Sequence, residues 1–284
     1  MSSSKYYLAP FRPLVRIGEV LVDNLGHPGY YLGRSSPRFD DAGMPGETVL
    51  LIHGFFQTRR VMRTLEQRLR ADGFRVVSFN LGGLLWNFNT RGVQTLAKRI
   101  DQKVRRLRER YGVDRIHIVG HSLGGLVARY LVQESGGDEY TDTVITLGSP
   151  HHGTPTAFIG AGLGLLLVSH SMWQLFPMSP LITRLKERPF PSGCRLVSVY
   201  SKHDLVCPWK SSVLRHEDGD DVRNILVKGL GHMGLVEDPW VYGLILRELT
   251  SRPADPASGP VIASSWERLG QAPSLSPRNS GRQG

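Results

Sequence analysis

RIHIVGHSLGGLVARYLV, running from Arg115 to Val132, changes character in its middle. Ile116, Ile118 and Val119 make a short apolar, β-branched run around His117, the composition of a strand covered on both faces of a parallel sheet. Leu126, Val127, Tyr130 and Leu131 fall at helical spacing with no Pro or Gly among them. Between the two lie Gly120, His121, Ser122, Leu123, Gly124 and Gly125. The order is therefore strand, very tight turn, helix, with a serine at the apex.

The glycines have a steric reason. A serine on so sharp a turn is forced into a strained backbone conformation, and Gly120 and Gly124 on either side lack the Cβ that would hold strand and helix apart. The strain lifts the Ser122 hydroxyl above the sheet. It also sets the hydroxyl at the positive end of a helix, with the Leu123 N–H aimed at the same spot. This G-x-S-x-G in its strand-to-helix setting resembles the nucleophile elbow of the α/β-hydrolase family, and GHSLGG is most similar to the bacterial triacylglycerol lipase and esterase branch. The resemblance implies a mostly parallel central sheet flanked by helices, a Ser-His-Asp triad in the chain order Ser, Asp, His, and an apolar cap over the site.

The chain has 284 residues, room for one α/β domain plus an insertion or a tail. Its 40% hydrophobic and 21% charged residues are those of a soluble globular protein. Cys194 and Cys207 lie along and after an extended run that keeps their sulfurs apart, so both are expected as free thiols, which suits a reducing, cytoplasmic setting. No secretory signal is expected at the N-terminus, and no apolar run is long enough to span a bilayer. The formal net charge is +10, but the basic residues are scattered and no nucleic-acid motif accompanies them. Solvated helix faces are the plainer reading, and peripheral contact with an anionic membrane surface is the alternative.

Three segments are expected: an N-terminal extension over 1–46, a hydrolase domain over 47–250, and a disordered tail over 251–284. In the extension, Leu14, Ile17, Leu21, Val22 and Leu25 fit one face of a short helix. Strands are expected at 47–53, 74–79, 116–119, 143–147, 195–200 and 222–227. Amphipathic helices are expected at 59–72, 91–111 and 239–249. Such alternation argues for a parallel sheet covered on both sides, where chemistry gathers at the carboxyl ends of the strands.

Two further residues at such ends complete the triad that the resemblance implies. Asp204 follows the 195–200 strand in Asp204-Leu205-Val206-Cys207-Pro208, one residue off the family's usual Asp–Pro spacing. His232 follows the 222–227 strand in Gly231-His232. Glu217, Asp218, Asp220 and Asp221 form a charge run read as a solvated turn. His53-Gly54-Phe55 resembles the family's oxyanion-hole segment, which pairs the Phe55 and Leu123 N–H groups as donors; His53, Gly54 and His121 are read as supports. His151 and His152 sit in a stretch similar to G-[ST]-P-H-x-G-[ST] of lipase relatives, and adjacent histidines point apart, against a metal pair. No cofactor is expected. The want of a ligand cluster speaks against metal-dependent hydrolysis, although some lipase relatives hold a structural calcium.

The insertion between the 143–147 and 195–200 strands is where the family places its lid, here at about 155–191. Its apolar run Ala157 to Val168 and the later Met172, Trp173, Leu175, Phe176, Met178, Leu181 and Ile182 carry more apolar surface than a solvated loop would. It is expected either as a mobile, lipid-facing cap or as a helix packed permanently on the core. The function expected is hydrolysis of carboxylic esters, lipid-like ones foremost. An acyltransferase or thioesterase with the same triad, or a non-catalytic lipid-binding relative, are the alternatives.

Overall fold

The computed structural model describes residues 23, 24, 26, 46–79, 81, 91–158 and 169–251, with the backbone of 261–263. Its strands are β1 (Thr48–Ile52), β2 (Arg75–Ser78), β3 (Ile116–His121), β4 (Thr141–Leu147), β5 (Arg195–Ser201), β6 (Val222–Val227) and a short β7 (Val261–Ala263). Their order across the sheet is β2-β1-β3-β4-β5-β6-β7, and every pairing is parallel. Helices α1 (Arg63–Ala71), α2 (Val93–Tyr111), α3 (Leu123–Glu134), α4 (His170–Gln174), α5 (Pro180–Glu187), α6 (Trp209–Ser212), α7 (Gly234–Glu237) and α8 (Pro239–Thr250) connect or follow them.

The central strands read as continuous apolar runs because each side is buried. Leu50 and Ile52 face one core with the apolar residues of α2 and α3, while Val49 and Leu51 face a second core with those of α1 and α8. Alternate residues of one strand thus feed two different cores, as the two-residue period of a strand requires. Leu65 and Leu69 of α1 and Leu96 and Ile100 of α2 are fully buried, each such side chain contributing about 1.5–3 kcal/mol of transfer free energy. Asp238 starts α8 by accepting from the Trp240 and Val241 amides, with Pro239 in the first turn, where a missing N–H costs nothing.

Register sets the site. Ile52 pairs with Gly120, Gly120 with Thr146, Thr146 with Ser198, and Ser198 with Asn224. The carboxyl ends of five strands therefore finish within three residues of one another, and the segments after them, at 53–57, 122, 148–155, 202–208 and 228–233, lie along one edge of the sheet.

The insertion is described in part. The stretch 159–168, most of the expected apolar run, lies outside the described residues. Of the rest, Met172, Leu175, Leu181, Ile182 and Leu185 are buried in the core shared with α2 and α3, and Gln174 Oε1 accepts from the Val93 N–H at 2.7 Å, capping α2. Phe158, Trp173 and Met178 remain exposed. The expected N-terminal helix lies outside the described residues except at Asp23 and Asn24, which are helical. The expected disordered tail also lies outside them, save for Ser251 and for 261–263, which extend the sheet as β7. Among the described residues, no helix is long and apolar enough to cross a membrane.

One expectation is corrected outright. Asp218, assigned to a solvated charge run, is buried and pairs at 2.7 Å with an equally buried Arg129 from α3. Arg129 also donates to the Leu185 carbonyl at 2.8 Å. Glu217, Asp220 and Asp221 are exposed, as a solvated turn requires.

Candidate active site

Ser122 stands between β3 and α3 at φ +55, ψ −124, a conformation that L-residues other than glycine rarely hold. Its N–H donates to the Leu147 carbonyl at 2.9 Å, which ties the strained turn to β4. A Cβ on Gly120 would come within 2.7 Å of the Gly124 carbonyl, and one on Gly124 would collide with the Ile52 carbonyl. The glycines thus serve close approach: strand, turn and helix occupy space that a methyl would need.

The 53–57 turn abuts the serine. A Cβ on Gly54 would lie 2.8 Å from Ser122 Cβ. Phe55 follows, half-buried, and Phe56 after it has φ +54, a second strained position for a bulky side chain. Leu123 is the first residue of α3. His53 is buried, and burial pulls its pKa down to about 4, so it is a neutral support for this turn near pH 7.

Gln57 had no signal in the sequence. Its Oε1 accepts from the Gly54 N–H at 2.8 Å and lies 3.1 Å from His121 Nδ1, while its Nε2 donates to the Met233 sulfur at 3.5 Å. A lone amide three residues past a His-Gly pair belongs to no pattern of spacing. His121 Nε2 is 3.2 Å from the His232 carbonyl, and its ring centroid is 4.5 Å from that of His232. Burial and the neighbouring His232 hold His121 well below the usual imidazole range. A neutral ring carries one N–H, so it donates either to Gln57 or to the His232 carbonyl.

Asp204 and His232 meet. His232 Nδ1 donates to Asp204 Oδ2 at 2.7 Å, with both side chains almost wholly out of water. Asp204 Oδ1 accepts from the Val206 and Cys207 amides at 2.9 and 2.7 Å. Three donors thus converge on one carboxylate, and an Nδ1–H donated to it leaves the lone pair of the neutral His232 ring on Nε2. Gly148, at φ +55, gives this pair room: a Cβ there would lie 2.7 Å from Asp204 Oδ2 and 3.1 Å from His232 Nδ1.

Cys207 follows Asp204 into the site. Its thiol hydrogen-bonds the Ser122 side chain, and burial together with the Asp204 charge pushes its pKa well above the ordinary thiol range. Asp204 is thereby linked through its own loop to the serine. His151 Nε2 and Thr146 Oγ1 are 2.9 Å apart, whereas His152 Nε2 donates to the Val213 carbonyl at 2.9 Å; the two rings face different partners. Among the described residues, no cluster of three or more His, Cys, Asp or Glu could hold a metal ion. Cys194 and Cys207 are free and buried.

Comparison with known proteins agrees with this architecture. Residues 47–168 match the model of the alpha/beta hydrolase fold family. The chain is 29% identical over 117 residues to a triacylglycerol lipase of Pseudarthrobacter phenanthrenivorans, covering 38% of this chain and 34% of that protein. A triacylglycerol lipase of Burkholderia plantarii matches at 29% over 117 residues, covering 38% of this chain and 31% of the lipase. The match thus spans about a third of the length of these curated relatives. Among solved structures, an esterase of Exiguobacterium antarcticum superposes with a TM-score of 0.56 at 17% identity, over 72% of this chain and 92% of the esterase. The chain has the α/β-hydrolase fold, and over residues 47–168 it is similar to that family's sequences. Within that fold, the two curated relatives named here are triacylglycerol lipases.

Proposed function

We propose that this protein is a serine hydrolase of carboxylic esters, lipid-like ones foremost, with Ser122 as nucleophile, His232 as general base and acid, and Asp204 as the acid that orients it. The observation that carries this reading is the 2.7 Å contact between His232 Nδ1 and Asp204 Oδ2, set beside the strained turn at Ser122. A serine hydroxyl is a poor nucleophile at neutral pH and needs such a base.

In this mechanism Ser122 Oγ attacks the ester carbonyl while His232 Nε2 takes its proton, rather than leaving it shared with the Cys207 thiol. Asp204 stabilises the imidazolium through Nδ1–H without itself taking the proton. The Phe55 and Leu123 amides donate to the tetrahedral oxyanion, each such donor lowering the barrier by about 2.7–4 kcal/mol. His232 returns the proton to the leaving alcohol, and water then repeats the sequence on the acyl-enzyme.

The lipid-like substrate is supported by the names of the two lipase relatives and by the surface near the rim. Phe158 and Trp173 pack on Phe176, with ring centroids 4.6 and 6.0 Å apart, yet both remain more than half exposed. Leu205 of the acid loop is exposed, and Trp209 lies under the ammonium groups of both Lys202 and Lys210. Apolar side chains flanked by cations suit an anionic lipid surface.

Turnover of p-nitrophenyl esters of graded acyl length, with labelling by a fluorophosphonate, tests the reading. Wild type should turn over octanoate at least as well as acetate, and Ser122→Ala should abolish both turnover and labelling. Equal rates for wild type and Ser122→Ala would refute it. Product analysis with alcohol or thioester substrates separates hydrolysis from acyl transfer and thioester cleavage.

A further inference from the structure

Two residues from the segment before β1 reach the catalytic rim. Asn24 is buried, and its Oδ1 accepts from the Leu205 N–H at 2.8 Å and from the His232 N–H at 3.3 Å. Leu205 is the residue after Asp204. One oxygen atom, from a residue outside the span that matches the family model, therefore bonds both the acid loop and the base loop. Asp23 extends the grip. Its carbonyl accepts from Met233 N–H at 2.7 Å, and its carboxylate accepts from the Gly231 and Gly234 amides. The fit is close: a Cβ on Gly231 would lie 2.7 Å from both Asn24 Nδ2 and Asp23 Oδ2, and one on Gly234 2.5 Å from Asp23 Oδ1.

Resting on the triad reading above, we infer that Asp23 and Asn24 form a clamp that positions His232 against Asp204, with Asn24 setting the spacing of the two loops. The His232–Asp204 bond joins the loops through side chains, and the Asn24 oxygen joins them through backbone. With both ties in place, the imidazole is held at one distance and one tilt before substrate arrives. Misplacement of a reacting group by about 1 Å costs on the order of a hundredfold in rate, so a fixed base is worth more than the clamp's bonds alone. The groups that bear on the imidazole are Asp204, the neutral His121 ring and the Asp23 carboxylate on the base loop, with Cys207 beside the acid.

The test uses the full chain as wild type, Asn24→Ala, Asn24→Asp, Asn24→Gln and Ser122→Ala. Turnover of p-nitrophenyl octanoate is measured across acidic and neutral pH, per fluorophosphonate-titrated site for wild type and the Asn24 variants and per mole of folded protein for Ser122→Ala. Asn24→Ala should lose about tenfold or more in kcat at nearly unchanged KM. The acidic limb of its kcat/KM profile should move to lower pH, because Asp204 then holds the imidazolium less well. Asn24→Asp keeps the acceptor oxygen and adds negative charge, so it should keep kcat within about threefold and move the limb to higher pH. A merely structural Asn24 would lower the number of titratable sites and leave per-site kcat and the limb in place, and that result overturns the clamp. Where Asn24→Ala yields no folded protein, Asn24→Gln, which keeps the amide but displaces its oxygen by one methylene, decides alone: a lowered per-site kcat at nearly unchanged KM supports the clamp, and an unaltered per-site kcat overturns it. Loss of turnover in Ser122→Ala with unaltered Asn24→Ala kinetics overturns the clamp and spares the triad. Undiminished turnover in Ser122→Ala removes the triad reading itself.

Discussion

Gly148 faces Asp204 so closely that a single methyl on it would lie 2.7 Å from the carboxylate Oδ2 and 3.1 Å from His232 Nδ1. Both atoms belong to one hydrogen bond, so a side chain there cannot be absorbed by turning a flexible tip away. Its φ of +55 adds a backbone penalty of about 1–2 kcal/mol for any L-residue. Gly148→Ala is expected to lower kcat by about a hundredfold through displacement of the acid–base pair. It should lower stability only by about the backbone penalty. Steady-state kinetics beside a urea unfolding curve separates the two effects, and full activity in the variant would show that the loops tolerate a shift that the geometry forbids.

The contact between Ser122 and Cys207 makes a prediction about thiol chemistry. A thiol reacts as the thiolate, and at Cys207 burial and the Asp204 charge both oppose that form. Burial likewise pushes Cys194 up to about 11. Neither cysteine should be alkylated by iodoacetamide or maleimide in the folded protein near neutral pH, and both should react after unfolding. Intact-mass analysis counts the adducts. Rapid native labelling at Cys207, with loss of esterase activity, would mean that the acid loop opens far more readily than its hydrogen bonds imply.

Much of this architecture could be read from the chain because it rests on local pattern. The elbow declares itself through two glycines whose missing Cβ atoms face the Ile52 and Gly124 carbonyls, and through the switch from strand to helix period around Ser122. Asp204 and His232 stand where a parallel sheet collects its chemistry, just past β5 and β6. What escaped reading depends on contacts between distant segments. Asn24 and Gln57 are single neutral amides in stretches without period, and their meaning lies in partners such as His232 and His121. Asp218 sits inside an acidic run and looks like its neighbours until Arg129, from the helix after Ser122, is seen to need a charge. The burial of Leu181, Ile182 and Leu185 against α2 and α3 likewise could not be told from a lipid-facing surface by composition alone.

Arg129 and Asp218 form an ion pair with 0% and 1% side-chain exposure. Removing one partner of such a pair strands the other charge in a low-dielectric interior and typically costs about 3–5 kcal/mol. The Arg215 amide also donates to Asp218 Oδ2 at 2.6 Å, and His152 Nε2 lies 3.5 Å from the same oxygen, so the acid ties α3 to two further segments. Asp218→Ala should therefore lower the urea midpoint steeply. Arg129→Met with Asp218→Leu, which leaves no stranded charge, should recover much of the loss. A double variant as unstable as the single one would mean that the polar contacts, and not the unpaired charge, set the cost.

Stability should also fall on mild acidification, and the buried histidines set the direction. His53 is fully buried with its pKa lowered from 6.5 to about 4, and His121 and His151 are held well below the usual range, with burial the largest cause for all three. A group whose pKa is lower in the folded chain binds its proton first in the unfolded chain. Acid therefore draws the equilibrium toward unfolding: the stabilisation is whole above about pH 6.5 and is lost as pH falls toward about 4 for His53. At about pH 5, His53 alone should account for roughly 2 kcal/mol of lost stability, since each unit of difference is worth about 1.4 kcal/mol. Urea unfolding followed at neutral and mildly acidic pH measures the slope. His53→Gln, which cannot titrate, should unfold more readily at neutral pH yet show a shallower decline with acid. A decline equally steep in the variant would assign the acid sensitivity to the remaining histidines and the carboxylates.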